Sequence, residues 1–473
     1  MGLLFPTIEF ALFFIIVFSL NWATIKFNLL RKIILTIASY FFYGYWDWRF
    51  MFLLFSCSAS NYIFGYLIGV FKSDRLKKIT LIISVILNLA VLGFFKYYGF
   101  FVTSFNNLLL SFGLDTHIPL LNIVLPVGIS FFTFQAMSYV IDVYRGEIGY
   151  CKSPIDILLF ISFFPQLVAG PIVRAKDFIP QLDKIPDINN IKLDKATILI
   201  LAGLFKKMIV ANYLASLLVD KVFANPGAYS SIEVLLAVYG YAVQIYCDFS
   251  AYSDIAIGVA HLFGYEFPKN FDHPYKSQTL QEFWRRWHIS LSSWLKDYLY
   301  IPLGGSRKGK IRTYINLAIT MLLGGLWHGA SFNFIIWGGL HGGYLAIERW
   351  INQDKKNYQK KNIAVQALSV FLTFNFVCFC WIFFRSPTLT SSMEYIKSFA
   401  NFGVEITTIT PFVLFLIFTG IAVHFIPDKF SFTVKKVFEK IPIPVIGVAA
   451  GLFFVAMSSF SPEGVAPFIY FQF

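Results

Sequence analysis

The stretch TMLLGGLWHGASFNFIIWGGLHGG, at residues 320–343, contains two histidines but no Asp, Glu, Lys or Arg. It lies within an apolar run, 313–347, that is long enough for two tight segments in a bilayer whose core is about 30 Å thick. Basic residues flank this run, with SRKGKIR at 306–312 and a cluster that starts at Arg349. Because basic loops tend to stay in the cytoplasm, the pattern predicts a pair of segments that enters the membrane and returns, with His328 deep inside it.

The composition places the whole chain in the same environment. Of its 473 residues, 57% are hydrophobic and only 14% are charged, whereas soluble domains carry about 25% charged residues. The mean hydropathy is +0.65. The net charge of +13 comes from short clusters between apolar stretches and not from one basic face, which argues against nucleic acid as a partner. The five cysteines have no metal-binding or CxxC spacing, so no metal site is predicted.

Apolar stretches recur along the chain and predict an all-α polytopic membrane protein, with about eleven transmembrane helices plus re-entrant segments. Two stretches are broken by Gly and Pro, LPVGISFF at 125–132 and FPQLVAGPIV at 164–173. Broken segments at membrane depth are tolerated only where they are buried in protein or line a cavity. These two are therefore the candidates for re-entrant segments.

The division of the chain follows from its most water-like stretch, RAKDFIPQLDKIPDINNIKLDK. This stretch is mixed in charge and predicts a cytoplasmic or interfacial loop with amphipathic pieces. We predict one transmembrane domain over 1–473, in four parts. These are the amino-terminal helices at 1–173, the loop at 174–195, the core helices that carry the chemistry at 196–427, and the last helix with an extracytoplasmic tail at 428–473.

The orientation of the chain is predicted from its basic clusters. Those that contain Lys26, Lys72, Lys206–Lys207, the stretch 306–312, Arg349 and Lys429 are expected to form basic loops on the cytoplasmic side. One span precedes the first cluster and one follows the last, so both termini are expected outside. The first apolar run lacks the basic start and the cleavage site of a signal peptide, so it is expected to be retained.

The stretch YAVQIYCDFSAYSDIAIG, at 241–258, carries polar side chains where an apolar helix is expected. Gln244 and Asp248 are four residues apart and share a helix face, as do Ser250 and Asp254. Ionisable residues inside membrane spans are rare and usually functional. The four residues predict a polar wall along an internal cavity. The alternative is a hydrogen-bonded seam between helices.

The segment EFWRRWHISLSSWLKDYLYIPLGG, at 282–305, is dense in Trp, Arg and Ser around His288. Arg285 is a candidate for binding phosphates, and Trp284 and Trp287 are candidates for lining a groove. The alternative is an interfacial amphipathic helix with an aromatic belt. That alternative accounts for the Trp and Arg residues better than for the histidine.

His328 and His288 are the candidate catalytic groups. A neutral imidazole is the general base best matched to neutral pH, and the glycines around His328 let a ligand or a second backbone approach closely. Transfer of an acyl group from a thioester to a hydroxyl needs chiefly a base, positioning and donors that stabilise the oxyanion. His341 lies nearer the end of the apolar run and is expected to be structural.

At these residues the chain resembles the membrane-bound O-acyltransferase family, and more closely its bacterial branch that O-acetylates envelope polysaccharides such as alginate and peptidoglycan. The resemblance runs through most of the chain, and one small departure is Ala251, where this branch typically has glycine. The stretches that carry it are SYFFYGYWDWRF at 39–50, LPVGISFFTFQAMSYVIDVYRGE at 125–147, FFPQLVAGPIVRAKDFIPQL at 163–182, QIYCDFSAYSDIAIG at 244–258, EFWRRWHISLSSWLKDYLYIPLGG at 282–305 and GGLWHGASFNFIIWGGLHG at 324–342.

The resemblance implies a fold and a reaction. The fold is a ring of helices around a thin core with a central channel, which a cytoplasmic acyl donor and an external acceptor enter from opposite sides. The family's paired histidines fall on His288 and His328, with His328 as the base nearest the chemistry and Trp327 beside it in the channel. The donor is expected to be acetyl-CoA, as a substrate and not a bound cofactor. The implied partner is an extracytoplasmic protein of the SGNH-hydrolase type, and the implied location is the bacterial cytoplasmic (inner) membrane.

The chain ends in FIYFQF, at 468–473. Related envelope systems carry an FxYF-type motif whose tyrosine is thought to accept the acyl group, so the resemblance implies that Tyr470 is an acyl carrier. The alternative is an apolar end that lies on the bilayer.

Two other functions stay open at this point. D-alanyl transfer to teichoic acids uses the same histidines but takes its acyl group from a carrier-protein thioester. A transporter or flippase without acyl chemistry would use Asp248 and Asp254 as a proton relay, but the inverted repeats that this function predicts are not visible in the sequence.

Overall fold

The computed structural model describes the chain except for residues 1–2, 4, 115–117, 353–361, 428–429, 431–432, 434–435, 438–439, 461–467 and 470–473. Across the described residues the regular elements are all helical and no strand occurs, which agrees with the predicted all-α class. The α-helices are α1 (Ile8–Ala23), α2 (Asn28–Gly44), α3 (Arg49–Val70), α4 (Asp74–Leu92), α5 (Tyr98–Ser111), α6 (Ile129–Arg145), α7 (Pro154–Ser162), α8 (Ala175–Leu182), α9 (Leu193–Phe205), α10 (Asn212–Leu214), α11 (Asp220–Ala224), α12 (Ser231–Leu262), α13 (Leu280–Arg286), α14 (Ile289–Leu295), α15 (Lys310–His328), α16 (Phe332–Asn352), α17 (Ile363–Arg385), α18 (Leu389–Lys397), α19 (Pro411–Ala422) and α20 (Ile443–Phe460).

Within the described ranges, 5 helical segments are long and apolar enough to cross a membrane. They are Arg49–Val70, Asp74–Ser111, Leu193–Ala224, Ser231–Leu262 and Ile363–Arg385. Helices α15 and α16 are long enough but are not among them, since α15 starts on a basic turn and both contain several glycines and polar residues. The chain is thus a multi-pass membrane protein, and the count of about eleven spans stays a prediction.

The described residues form two compact units. Most of the long helix α12 belongs to unit 2, and its last residues, 259–262, belong to unit 1. Unit 1 comprises residues 1–191 and 259–268, and unit 2 comprises 192–258 and 269–473. Every candidate site residue from Gln244 to His328 falls in unit 2. The division into one domain with four parts stays a prediction.

The core of unit 1 is aromatic. Phe178 packs edge-on against Tyr265 and Phe267, with ring centroids 5.1 and 5.2 Å apart, and Phe163 lies 5.3 Å from Phe178. The stretch 164–173 runs through this region without helical structure, and every one of its residues is buried. Its Gly and Pro residues therefore interrupt a segment that is enclosed by protein, as non-helical backbone in an apolar surrounding requires.

Helices α15 and α16 form the predicted pair of closely packed segments, and glycine allows the approach. A Cβ atom on Gly325 would lie 2.1 Å from the carbonyl oxygen of Phe334, and one on Gly338 would lie 2.3 Å from that of Met321. Any side chain at either position would separate the two helices. His328 is the last residue of α15, so this packing fixes the position of its backbone.

Candidate active site

Two ion pairs join α12 to the helical segment that begins with α9. Lys207 Nζ bonds Asp248 Oδ1 with both side chains almost fully buried, and Lys206 Nζ contacts Asp254 Oδ2 (2.5 Å) and Ser250 Oγ (2.8 Å). Three of the four polar residues predicted on α12, Asp248, Ser250 and Asp254, therefore bond to a second helical segment. The bonds match the alternative of a seam, while the role of these residues along a channel stays a prediction.

Lys206 and Lys207 were expected in a basic loop, and that prediction is wrong. They begin a π-helical stretch, Lys206–Ala211, inside the candidate span Leu193–Ala224. Buried charges need partners and hydrogen bonds to compensate for lost hydration, and the carboxylates of Asp248 and Asp254 provide them. π-helical stretches within α-helices occur frequently at functional sites.

The last described residues of the chain, Phe468 and Ile469, lie against these same two helical segments. The backbone N–H of Ile469 donates to Asp248 Oδ2 (2.7 Å), and the ring of Phe468 packs edge-on against Tyr252 at 4.9 Å. Lys207 Nζ lies 4.7 Å from the centroid of the Phe468 ring. Phe468 and Ile469 are 2% and 5% exposed, so this part of the tail is enclosed by protein. Tyr470 lies outside the described residues.

His288 is fully buried between α13 and α14 and has a left-handed backbone, with φ 43°. Non-glycine residues adopt this conformation only where the surroundings enforce it. Asn270 supplies the constraint: its Oδ1 accepts from the Ser290 backbone N–H (3.1 Å) and lies 3.2 Å from His288 Nδ1. Its Nδ2 donates to Ser253 Oγ (3.0 Å).

The Asn270 contact fixes the tautomer of the neutral His288 ring. A backbone N–H can bond only to the amide oxygen, so the atom next to Nδ1 is Oδ1, which is an acceptor alone. Nδ1 then carries the proton and Nε2 carries the lone pair. A neutral ring in this state presents a base at Nε2.

Aromatic rings surround both candidate histidines. His288 lies edge-on to Phe249 at 4.6 Å and to Trp327 at 5.8 Å. His328 is 3% exposed and contacts Trp327, Trp337 and Phe384, all at 5.1 to 5.2 Å between centroids. The Trp327 ring therefore contacts both imidazoles, and the structure brings the two predicted histidines to one aromatic cluster.

The other predicted residues of segment 282–305 differ in their surroundings. Trp287 is 2% exposed and packs on Trp381 at 5.1 Å. Trp284 is half-buried, and its Nε1 donates to His341 Nδ1 (3.3 Å), which gives His341 a structural contact. Arg285 is exposed and is not brought to the histidine cluster.

Gln244, one turn before Asp248 on α12, is half-buried. Its Oε1 has no hydrogen-bond partner in the described part of the chain. The described residues include no group of three or more His, Cys, Asp or Glu that could hold a metal ion. The site offers imidazoles and carboxylates, which are side chains that can transfer protons.

Asn270 and Lys207 are residues that sequence reasoning missed. Asn270 stands in the loop KNFDHPYK without any motif, and nothing in its spacing to His288 signals a contact. The signal for Lys207 was present, because a lysine within an apolar run is as costly as the aspartates opposite it.

We expect Asn270→Ala to lower both activity and stability. The change leaves the buried Ser290 N–H without its acceptor, which costs about 1–3 kcal/mol, and frees the His288 ring to rotate. Heating the purified protein in detergent measures the first effect, and acyl transfer per folded molecule measures the second. Asn270→Asp keeps an acceptor at the same place. We expect this variant to recover most of the thermal stability and most of the acyl transfer. Full transfer by the alanine variant would show that the orientation of His288 is immaterial.

Comparisons with known proteins also indicate an acyltransferase. Residues 147–386 match the model of "MBOAT, membrane-bound O-acyltransferase family". The chain is 43% identical to a probable alginate O-acetylase of Pseudomonas putida, over 79% of this chain and 75% of the relative. It is 38% identical to a peptidoglycan O-acetyltransferase of Helicobacter pylori, over 78% and 73%. A more distant match is a teichoic acid D-alanyltransferase of Streptococcus thermophilus, 33% identical over 54% and 68%.

Proposed function

The chain belongs to the membrane-bound O-acyltransferase family, and from this premise we propose that it is a transmembrane O-acetyltransferase for a cell-envelope polysaccharide. Membership makes it an acyltransferase, so a transporter without acyl chemistry is no longer a candidate. The proposed donor is acetyl-CoA from the cytoplasm. The proposed final acceptor is a polysaccharide of the peptidoglycan or alginate kind, which are the substrates that the relatives' names state. The membrane would be the bacterial cytoplasmic (inner) membrane, and about eleven spans would surround a central channel.

The observation that carries the proposal is the contact of both buried histidines with Trp327. Both imidazoles lie within the residues that match the family, and a positioned imidazole is a suitable base for acyl transfer. His288 is held with its lone pair at Nε2 and His328 ends a tightly packed hairpin. Both rings are thus positioned before any substrate arrives, which is how an enzyme reduces the entropy cost of the reaction.

The proposed first step transfers acetyl to the tail. His328 takes the proton of the Tyr470 hydroxyl, and the phenolate oxygen attacks the thioester carbonyl. The new C–O bond forms, the C–S bond breaks, and the CoA thiolate leaves with the proton that His328 held. His288, whose Nε2 carries a lone pair, is proposed to accept a hydrogen bond and so orient the acceptor hydroxyl.

The proposed second step passes the acetyl group outward. An acyl-tyrosine is an aryl ester, whose phenolate is a good leaving group, so a serine nucleophile of an extracytoplasmic SGNH-hydrolase-type partner could take the acetyl and esterify the sugar. The buried contacts of Phe468 and Ile469 support a tail that reaches the protein interior instead of lying on the bilayer surface.

The donor separates this proposal from D-alanyl transfer, and we expect acetyl-CoA to be used. Purified chain is incubated either with radiolabelled acetyl-CoA or with a carrier protein charged with radiolabelled D-alanine, and covalent label on the chain is counted. Free labelled acetate serves as the control for non-enzymatic labelling. Label from the charged carrier alone would replace acetyl by D-alanyl transfer while leaving the family assignment intact.

A further inference from the structure

We propose that Asp248 and Lys207 form an anchor that seats the carboxyl-terminal tail and thereby positions its acyl-accepting residue; the inference rests on the proposed role of Tyr470. The anchor is defined by these two side chains together with Tyr252. Neither the family match nor the names of the relatives assign a role to it.

The carboxylate of Asp248 is divided between two partners. Oδ1 bonds Lys207 Nζ and Oδ2 accepts the Ile469 backbone N–H (2.7 Å). If Asp248 served only to neutralise Lys207, its second oxygen would have no need of a backbone donor from a residue 221 positions away in sequence. A buried backbone N–H needs an acceptor, and an ionised carboxylate makes one of the stronger hydrogen bonds available.

Lys207 contacts the tail as well as the carboxylate. Its ammonium group lies 4.7 Å from the centroid of the Phe468 ring, within the range of a cation–π interaction. Tyr252 closes the pocket with an edge-on ring contact to Phe468 at 4.9 Å. One ion pair therefore holds the tail twice, through a backbone N–H at Ile469 and through an aromatic ring at Phe468.

The anchor stands next to the histidine cluster. Phe249, the residue after Asp248 on α12, contacts the His288 ring at 4.6 Å. Consecutive Cα atoms are about 3.8 Å apart, so we expect a held Ile469 to shorten the search of the next residue for the site. An acceptor that is restricted in this way reacts with the kinetics of an intramolecular group.

The second ion pair provides a matched control. Asp254 pairs with Lys206 (2.5 Å) on the same two helical segments, and among the described residues Lys206 also bonds Ser250 and not the tail. Asp248→Asn and Asp254→Asn each remove one carboxylate charge from α12 with no change of size. In Asp248→Asn the single remaining oxygen cannot accept from both Lys207 and the Ile469 N–H, because the amide nitrogen only donates, whereas Asp254→Asn leaves the acceptor of the tail unchanged.

Hydrogen–deuterium exchange of the tail peptide, in the full chain in detergent, tests the anchor. Loss of a charge-assisted hydrogen bond is expected to raise the exchange rate about tenfold to a hundredfold in Asp248→Asn, and to leave it near the unmodified rate in Asp254→Asn. Exchange in Ile363–Arg385 verifies that each variant is folded. Tail exchange in a folded Asp248→Asn variant that is as slow as in the unmodified chain would overturn the proposal.

A variant on the tail covers the case in which Asp248→Asn does not fold. Ile469→Pro removes the N–H donor without touching the ion pair, and the remaining tail amides are expected to exchange faster by a similar factor. Unchanged protection would contradict the anchor. Tyr470→Phe keeps Phe468 and Ile469, so its tail is expected to exchange slowly whether or not Tyr470 carries acetyl. The failure of the anchor and the failure of the acyl carrier are therefore distinguishable.

Discussion

Replacing His328 with alanine is expected to abolish acetyl transfer while the protein still inserts and folds. A general base contributes about 10²- to 10⁴-fold to a reaction of this kind, and His328 is the proposed base. Its ring lies among Trp327, Trp337 and Phe384, which are apolar and cannot take its place. The rate of CoA release from acetyl-CoA, per folded molecule, measures the effect.

A second buried histidine serves as the control for that variant. His261 is 5% exposed and belongs to unit 1, whereas the candidate site residues belong to unit 2. His261→Ala removes an imidazole of the same size and is expected to keep its activity per folded molecule, although its stability decreases. Full activity in a folded His328→Ala variant would end the mechanism given above. If both variants lost the same share of activity per folded molecule, the loss in His328→Ala would be explained by packing and not by a missing base.

Replacing Tyr470 with phenylalanine is expected to stop acetylation of the polysaccharide. The change removes one oxygen, the atom proposed to carry the acetyl group, and keeps the apolar ring. The measurement is ester-linked acetate on the isolated envelope polysaccharide of cells that depend on this chain. Tyr45→Phe removes the hydroxyl of an exposed tyrosine in unit 1 and is expected to change nothing. Persistent acetylation in Tyr470→Phe would remove the carrier role but leave the class of enzyme intact.

The helical pair around His328 could be predicted because its determinants are local. An apolar run of that length, with basic residues at both ends and glycines at its centre, has few other structures available in a membrane. The structure adds the reason for two of the glycines, since Gly325 and Gly338 each lie against a carbonyl oxygen of the other helix.

The polar residues of α12 could be found from the sequence, but their partners could not. Asp248 and Asp254 are conspicuous because they interrupt an apolar stretch. Lys206 and Lys207 looked like a loop cluster, since a charge count does not reveal that two lysines face two aspartates on another helix. The bond from Ile469 to Asp248 joins positions 221 residues apart, and only the packed chain reveals it.

The conformation of His288 was equally hidden from sequence reasoning. The motif gave the residue, but its left-handed backbone and its tautomer depend on Asn270, which lies 18 residues earlier in a loop without a motif. Periodicity predicts which face of a helix a residue occupies. It does not predict which loop oxygen holds a ring nitrogen.

Transfer of acetyl to the tail by His328 can be measured by mass spectrometry of the carboxyl-terminal peptide, after the purified chain is incubated with isotopically labelled acetyl-CoA. We predict one labelled acetyl group, located on Tyr470, in the unmodified chain and its loss in the folded His328→Ala variant. Label on another residue, or labelling of Tyr470 that is equally fast without His328, would contradict it.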